Sequence, residues 1–400
     1  MSVSFAHQPR IAVVGGGIGG LAAAAFLGRA GLRATVYEQA PELGEVGAGL
    51  VASPNLVLLL RRLGVLDRLL ECAVPIEVGW EFRRWEDGRV LSAENLDACE
   101  RLYGERTYTV HRADLLNVVQ AAIPEGSVRL GMRCLAVEIG DDGAVLTFAD
   151  GSRAAADVVI GADGVHSTVR AALIGPSPAT FSGLCAFRAL VPAERAPDFA
   201  RRLAHTLWIG PDHHLVHYPI SAGKMINIVA FAPAGQDVVE SWSATATKEE
   251  FLAEFEGWDP RLRELLHASG TPGRWALLDR APLERWSRGR VTLLGDAAHP
   301  MFPFFAQGAA QSIEDAAVLA RCLAADLADP SGALLRYQSI RRERTARIQA
   351  VSHQRADLNH LADGPEQQAR DASLRDSDPL AANGWIYGYD AEQAEMEASR

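Results

Sequence analysis

Residues 10–38 read RIAVVGGGIGGLAAAAFLGRAGLRATVYE. The β-branched run Ile11 to Val14 breaks into Gly15, Gly16, Gly17, Ile18, Gly19 and Gly20, and an alanine-rich stretch follows. This order predicts strand, tight turn and helix, with the helix stopping at Gly31, a residue suited to a left-handed C-terminal cap. Arg33 to Glu38 predicts a second strand. One βαβ unit closes within about 30 residues, which favours an open, mostly parallel sheet with helices on its faces. Within it, Gly15-x-Gly17-x-x-Gly20 is a dinucleotide fingerprint in the strand–turn–helix context it needs. The first glycine permits the tight turn, the second lets a pyrophosphate approach the backbone, and the third lets helix and strand pack closely. The helix N-terminus offers unpaired N–H groups and a positive dipole end. Glu38 follows Gly17 by 21 positions at the end of the second strand. A carboxylate there can accept hydrogen bonds from a ribose diol; a glycine turn without a ligand is the plainer alternative.

Outward from this unit the pattern changes. From about residue 76, short alternating strands with hairpin punctuation predict a sheet-rich region: WEFRRW, Glu86-Asp87-Gly88, then RVLS. The apolar strands DVVIGAD (157–163) and RVTLLGD (290–296) read as buried and parallel, and so rejoin the first sheet. Between them, LCAFRALV, HTLWIG, HLVHYPI and MINIVAFA are further strands, with a helical segment near Lys248 to His267. A helix is predicted from about Gly308 to Leu327, then a charged helix over about 332–361, a polar stretch at 363–380 and a closing aromatic WIYGYD. Arg341, Arg342, Arg344 and Arg347 read most simply as a solvated face of the charged helix. The fold class is therefore mixed α/β: a Rossmann-like nucleotide domain (1–75, 100–180 and 285–330) interleaved with a mainly β-sheet substrate domain (76–99 and 181–284). C-terminal helices and a tail occupy 331–400.

The chain has 400 residues and a net charge of -11, with no long basic block, so neither nucleic acid nor an anionic membrane is an expected partner. Five scattered cysteines without a C-x-x-C pair indicate neither a disulfide framework nor a thiolate zinc site, and no metal is expected. The first ten residues, MSVSFAHQPR, lack the apolar core of a signal peptide, and no window is apolar enough to span a membrane. A cytoplasmic protein, monomer or homodimer, is the expectation.

Two more glycine–acid pairs, Asp163-Gly164 and Gly295-Asp296, end the two later buried strands. With these three fingerprints in order, the chain resembles the single-component FAD-dependent aromatic hydroxylases, such as salicylate hydroxylase, 3-hydroxybenzoate 6-hydroxylase and 6-hydroxynicotinate 3-monooxygenase. The resemblance runs from Ile11 to WIYGYD. It implies that Gly15, Gly17 and Gly20 hold the FAD pyrophosphate, and that Glu38, with Gln39 beside it, serves the adenosine end. Arg112, in HRADLL, would reach FAD, although an arginine opening a surface helix is the bland reading. By the same resemblance, Asp163 and Gly164 serve both FAD and the nicotinamide cofactor, and Gly295 with Asp296 binds the ribityl chain. Leu135 would make a main-chain contact on the adenine side, with a plain core role as the alternative. Pro303 to Ala309, including Gly308 and Ala309, would bring a helix N-terminus beside the flavin edge that becomes negative on reduction. Glu314 and Asp315 read as dipole complement at the surface of that helix.

The implied reaction uses NADH or NADPH and O2 to hydroxylate a phenolic or hydroxybenzoate-type ring through a C4a-hydroperoxyflavin. A single dinucleotide fingerprint fits a nicotinamide that binds transiently without its own domain. Oxidation or epoxidation of a non-aromatic substrate, or flavin binding without turnover, remains open at this stage. A base near the substrate would activate a phenol. In HHLVHYPI, His214 and Tyr218 match positions lining the active site in relatives; strand alternation puts them on one face and His217 on the other. The alternative is sheet residues satisfied by their neighbours. Gln307 is a further candidate to reach the substrate. Val51 stands where the hydroxynicotinate enzymes carry histidine, which weakens that substrate and leaves an apolar contact beside the flavin. No arginine stands out as a carboxylate anchor.

Overall fold

The computed structural model describes residues 9–44, 48–234 and 246–394. Its first strand, Ile11–Val14, is buried along its whole length because it is flanked on both sides by parallel neighbours, Val158–Gly161 and Ala34–Tyr37. Val291–Leu293 extends the sheet beyond Val158–Gly161, and short edge strands at Val128–Arg129 and Ser287–Arg288 complete six. Only the Ser287–Arg288 edge runs antiparallel. The helix Ile18–Arg29 follows the glycine turn directly, and its run Ala22 to Ala25 is buried. Small side chains let it lie close against the helix Gly308–Ala325: a Cβ on Gly19 would stand 2.8 Å from Leu294 and 3.2 Å from Ser312.

A seven-stranded sheet faces the first. Its order is Gly273–Asp279, Thr180–Pro192, Met225–Pro233, His213–Ile220, Ala204–Gly210, Val78–Arg84, Val90–Asn95. All neighbours are antiparallel except Ala204–Gly210 with Val78–Arg84, a pairing between chain segments more than 100 residues apart. A small sheet containing Gly49–Ala52 and Tyr108–His111 joins the two large ones. Gly49 N–H donates to Asn227 Oδ1 at 2.7 Å, and Thr109 Oγ1 donates to the Pro219 carbonyl.

The C-terminal region, expected as helices and a tail, corrects the sequence reading at its arginines. The polar stretch after residue 363 contains a helix, Pro365–Asp376. More consequentially, the 30-residue helix Pro330–Asn359 does not present its arginines to solvent as a set. Arg341 is fully buried, with Nη1 2.6 Å from Glu314 and Nε 2.7 Å from Asp315, and Arg344 Nε lies 2.8 Å from the same Glu314. Arg341 and Arg344 are three residues apart and so share a face, and that face meets Gly308–Ala325. Arg342 points away and stays exposed, and Arg347 covers the Trp385 ring at 3.8 Å. Glu314 and Asp315, expected at the surface, are likewise fully buried. Glu314 also accepts from Asn55 Nδ2 at 2.7 Å, and Asp315 accepts from His299 Nε2 at 2.6 Å and from Gly295 N–H at 3.0 Å. Burial alone would raise the Asp315 carboxyl; the His299 and Arg341 charges outweigh it and hold its pKa at about 2. No helix among the described residues is long and apolar enough to cross a membrane.

Candidate active site

A continuous cavity of about 380 Å³ runs from the carboxyl ends of Ile11–Val14, Val158–Gly161 and Val291–Leu293 to the face of the seven-stranded sheet. Ligands of open α/β sheets sit at these strand ends. At this end the wall is backbone. Gly17, Ile18 and Gly19 line it, and Gly15 turns behind them at φ +105°. A Cβ on Gly15 would stand 2.3 Å from the Ala162 carbonyl oxygen, and one on Gly20 would stand 1.9 Å from the Gly15 carbonyl oxygen. Both positions therefore exclude any side chain, and the helix N-terminus opens bare onto the cavity, as a diphosphate requires. Glu38 lies beside the turn, where its carboxylate accepts from Gly16 N–H at 2.6 Å and Ala40 N–H at 2.8 Å. Neither Glu38 nor its neighbour Gln39 lines the cavity.

Arg112 begins the helix Arg112–Gln120 and projects into the cavity. Burial lowers its pKa and the Asp296 carboxylate opposes that shift, so cation and anion face the same space. Gly164 and Asp296 line the cavity with Gly295, whose φ of +61° makes the turn that the Asp315 hydrogen bond holds. Asp163 is placed differently from its neighbour. Its carboxylate turns back to accept from Ser167 Oγ and from the N–H groups of Thr168 (2.7 Å) and Val169 (3.1 Å), fastening the helix Thr168–Ile174. Leu135 is 54% exposed on the small outer sheet, so its side chain is not core, and it does not line the cavity. These walls fit FAD: a backbone cradle for the diphosphate and Arg112 with Asp296 along the middle, with the Glu38 carboxylate behind the glycine turn.

The inner end is built from side chains. Along the buried strand His213–Ile220, His214, Val216 and Tyr218 line the cavity, whereas His217 faces away and meets the Phe199 ring edge-on at 5.4 Å. The Phe231 ring stacks on His214 at 4.4 Å and Phe304 meets it edge-on at 5.0 Å. Burial drives the His214 pKa well below 6.5, helped by His360 and His213. Burial likewise pushes the Tyr218 phenol far above its usual range. Gly49 is needed here for space, since a Cβ would stand 2.6 Å from the Tyr218 ring. The turn Pro303 to Ala309 closes this end with Pro303, Phe304, Ala306, Gly308 and Ala309, and Val51 faces it from the joining sheet.

Gln307 does not line the cavity. Its side chain turns inward, where Nε2 donates to Ser53 Oγ at 3.1 Å and Oε1 accepts from Asn55 Nδ2 at 3.2 Å. A buried amide goes where its hydrogen bonds are met, and those partners sit behind the turn, next to Glu314. Gln307 thus braces the turn from behind.

Three residues escaped the sequence reading. Arg188 lines the cavity with its guanidinium 3.8 Å over the Trp275 ring, and its Nε has no hydrogen-bond partner among the described residues. Burial, then the Arg112 charge, lowers its pKa to about 10, which leaves it cationic at neutral pH. His205 lines the cavity beside Tyr218, ring centroids 5.1 Å apart, and burial lowers its pKa to about 3. His360, at the end of the 30-residue helix, places Nε2 2.6 Å from His214 Nδ1. Arg188 had one visible signal: it is the only charge in the apolar run LCAFRALV.

Comparison with known proteins agrees with this geometry. A family described as an FAD binding domain matches residues 9–352. A 3-amino-4-hydroxybenzoate 2-monooxygenase of Streptomyces platensis is 43% identical over 96% of this chain and 97% of its own. The chain belongs to the family of FAD-dependent aromatic monooxygenases. A 6-hydroxynicotinate 3-monooxygenase of Bordetella bronchiseptica is 40% identical over 86% of this monooxygenase and 91% of its own length. Among solved structures, a salicylate hydroxylase substrate complex aligns with a TM-score of 0.81 at 29% identity, covering 99% of this chain and 100% of that one. Klebsiella pneumoniae HpxO complexed with FAD and uric acid gives a TM-score of 0.84 at 28% identity over 94% and 96% of the two chains. The mixed α/β fold, the FAD cofactor and aromatic monooxygenation follow from these relationships.

Proposed function

We propose that this monooxygenase hydroxylates a phenolic ring bearing a carboxylate, consuming O2 and NADH or NADPH. The observation that carries the reading is the inner end of the cavity, where His214, Tyr218 and the Arg188 cation face one enclosed space. The relatives' names agree, since 3-amino-4-hydroxybenzoate and 6-hydroxynicotinate both describe a ring with a hydroxyl and a carboxylate.

The Gly15 to Gly20 turn, Glu38, Arg112 and Asp296 would hold FAD, and the bound cofactor would supply the activated oxygen. The chain's own residues prepare the ring. Antiparallel pairing places Arg188 opposite Val229, and Val229 opposite Val216, so Arg188 shares a face with the row between His214 and Tyr218. A substrate carboxylate held by Arg188 therefore leaves the far side of the ring to His214 and Tyr218. The flat Trp275 surface fixes the guanidinium plane. His214 is neutral, and so is able to accept the ring hydroxyl's proton. Tyr218 keeps its own proton and donates a hydrogen bond to the developing phenoxide. Phe231 and Phe304 hold the imidazole between them and keep water from it. Gly308 and Ala309 open a helix N-terminus on the same space, which favours negative charge on the reduced cofactor.

The test is turnover of the FAD-loaded protein with NADH or NADPH, O2 and a panel of hydroxybenzoates, aminohydroxybenzoates and hydroxynicotinates, alongside the matching phenols without carboxylate. A carboxylated phenol should accelerate nicotinamide oxidation and gain one oxygen atom by mass. If none does while another compound class does, the substrate reading is wrong.

A further inference from the structure

The catalytic base proposed above is buried in a place that cannot keep a proton. His214 is 1% exposed and sits between Phe231 and Phe304, with no carboxylate hydrogen-bonded to it among the described residues. An imidazole in such a setting works as a base only if the proton leaves promptly by another route. The structure supplies one. The Nδ1 of His214 is 2.6 Å from His360 Nε2, with the ring centroids 4.7 Å apart. His360 does not line the cavity. It caps the end of the 30-residue helix, is half-buried, and is followed within three residues by the exposed Ala362 and Asp363. One imidazole thus faces the ligand space and touches a second, half-buried imidazole beside an exposed segment, across an interface between sheet and C-terminal helix.

We infer that His360 is a proton-relay residue that carries the substrate's phenolic proton from His214 to solvent. This rests on the reading of His214 as the group facing the phenol. The ring hydroxyl's O–H bond breaks and its proton forms a bond to His214 Nε2. The Nδ1–H bond of that same ring breaks as its proton passes to His360 Nε2, and His360 Nδ1 releases a proton to water. No electron is transferred, the products are a bound phenolate and one solvent proton, and tautomer exchange of the two rings resets the chain. Two imidazoles suit this task because each accepts at one nitrogen while donating at the other. The relay also explains why this base needs no carboxylate to stabilise its cation: neither ring has to hold the charge for long.

The backbone anchors of His360 survive side-chain substitution, since its N–H donates to Asp357 O and its carbonyl accepts from Asp212 N–H at 3.0 Å. The experiment uses FAD-loaded enzyme mixed in a stopped flow with a turnover-competent hydroxybenzoate whose phenolate absorbs separately from the phenol. A weakly buffered indicator dye reports the released proton. Wild type should show phenolate formation and proton release together. His360→Ala should slow both at least tenfold while substrate Kd and FAD occupancy change less than threefold, and added imidazole should restore the rate. His360→Gln, which keeps a polar group of similar reach but cannot relay, should be as slow as His360→Ala yet resist imidazole rescue. Proton release at the wild-type rate in both variants would overturn the relay. Were phenolate formation absent in wild type, or present and unaffected by His214→Ala, the reading of His214 itself would fail, a result distinct from failure of His360 alone.

Discussion

Arg341 and Arg188 are both arginines drawn into the interior of this monooxygenase, and their surroundings are opposite. Arg341 is enclosed by Glu314, Asp315 and Gln311, with every side-chain nitrogen bonded. Arg188 lies against Trp275 with no carboxylate in reach among the described residues and an unpartnered Nε beside the cavity. A buried cation surrounded by its counter-ions is finished structure, because its desolvation is offset within the fold. A buried cation without one leaves that offset to a ligand. The same contrast separates the acids: Asp315 is committed to His299 and Arg341, whereas Asp296 faces the open cavity. Structure and function divide at this point, between charges paired by the chain and charges left for a bound molecule.

The largest effect should come from breaking the finished cluster. Arg341→Met leaves Glu314 and Asp315 buried without the cation they share, and removing one partner of such a pair costs about 3–5 kcal/mol. Urea unfolding of the FAD-loaded protein should register that loss; a change under about 1 kcal/mol would mean that Arg344 and His299 suffice. Arg188→Met should behave the other way. Its removal deprives no carboxylate among the described residues, so the unfolding midpoint should hold or rise slightly. Affinity for a carboxylated substrate should fall roughly 30- to 100-fold, the worth of about 2–3 kcal/mol for a charged hydrogen bond. The matching phenol without a carboxylate should lose little. Equal losses for both compounds would show that Arg188 shapes the cavity without reading the acid.

The two arginines also mark what a sequence discloses. The nucleotide end was legible because strand, glycine turn and helix are neighbours in the chain and their chemistry is backbone chemistry. His214 and Tyr218 were legible in direction because alternation along one strand settles which residues share a face. Arg188 was not, since its place opposite Val229 depends on pairing between strands some 40 residues apart. His360 was harder still, for it reaches His214 from a helix 146 positions away. The arginines of the long helix were misread because helical spacing tells which residues share a face and says nothing of what that face meets. Glu314 and Asp315 are what it meets, and the acidic and basic halves of the cluster come from different helices. Gln307 illustrates the same limit: its neighbours in sequence point to the cavity, but its hydrogen-bond partners lie behind it.

The smallest of these effects concerns acid, and it sharpens the contrast between paired and unpaired charge. Asp315 has an ordinary pKa of 3.8 and a folded value of about 2, so the folded state favours its charged form. The stability this contributes is complete above about pH 4, declines as the pH falls from 4 toward 2, and is gone below, amounting to about 2 kcal/mol. Asp315→Asn should be less stable than wild type at pH 6, and the difference should shrink through that window as the wild-type carboxylate takes up its proton. Asp296→Asn supplies the comparison, because a carboxylate facing the cavity has no such set of internal partners to lose. Its effect should appear in FAD affinity, with the urea midpoint of the FAD-free protein at pH 6 little changed. If the two variants lost equal stability at pH 6, the distinction between charges paired by the fold and charges reserved for a ligand would not describe this enzyme.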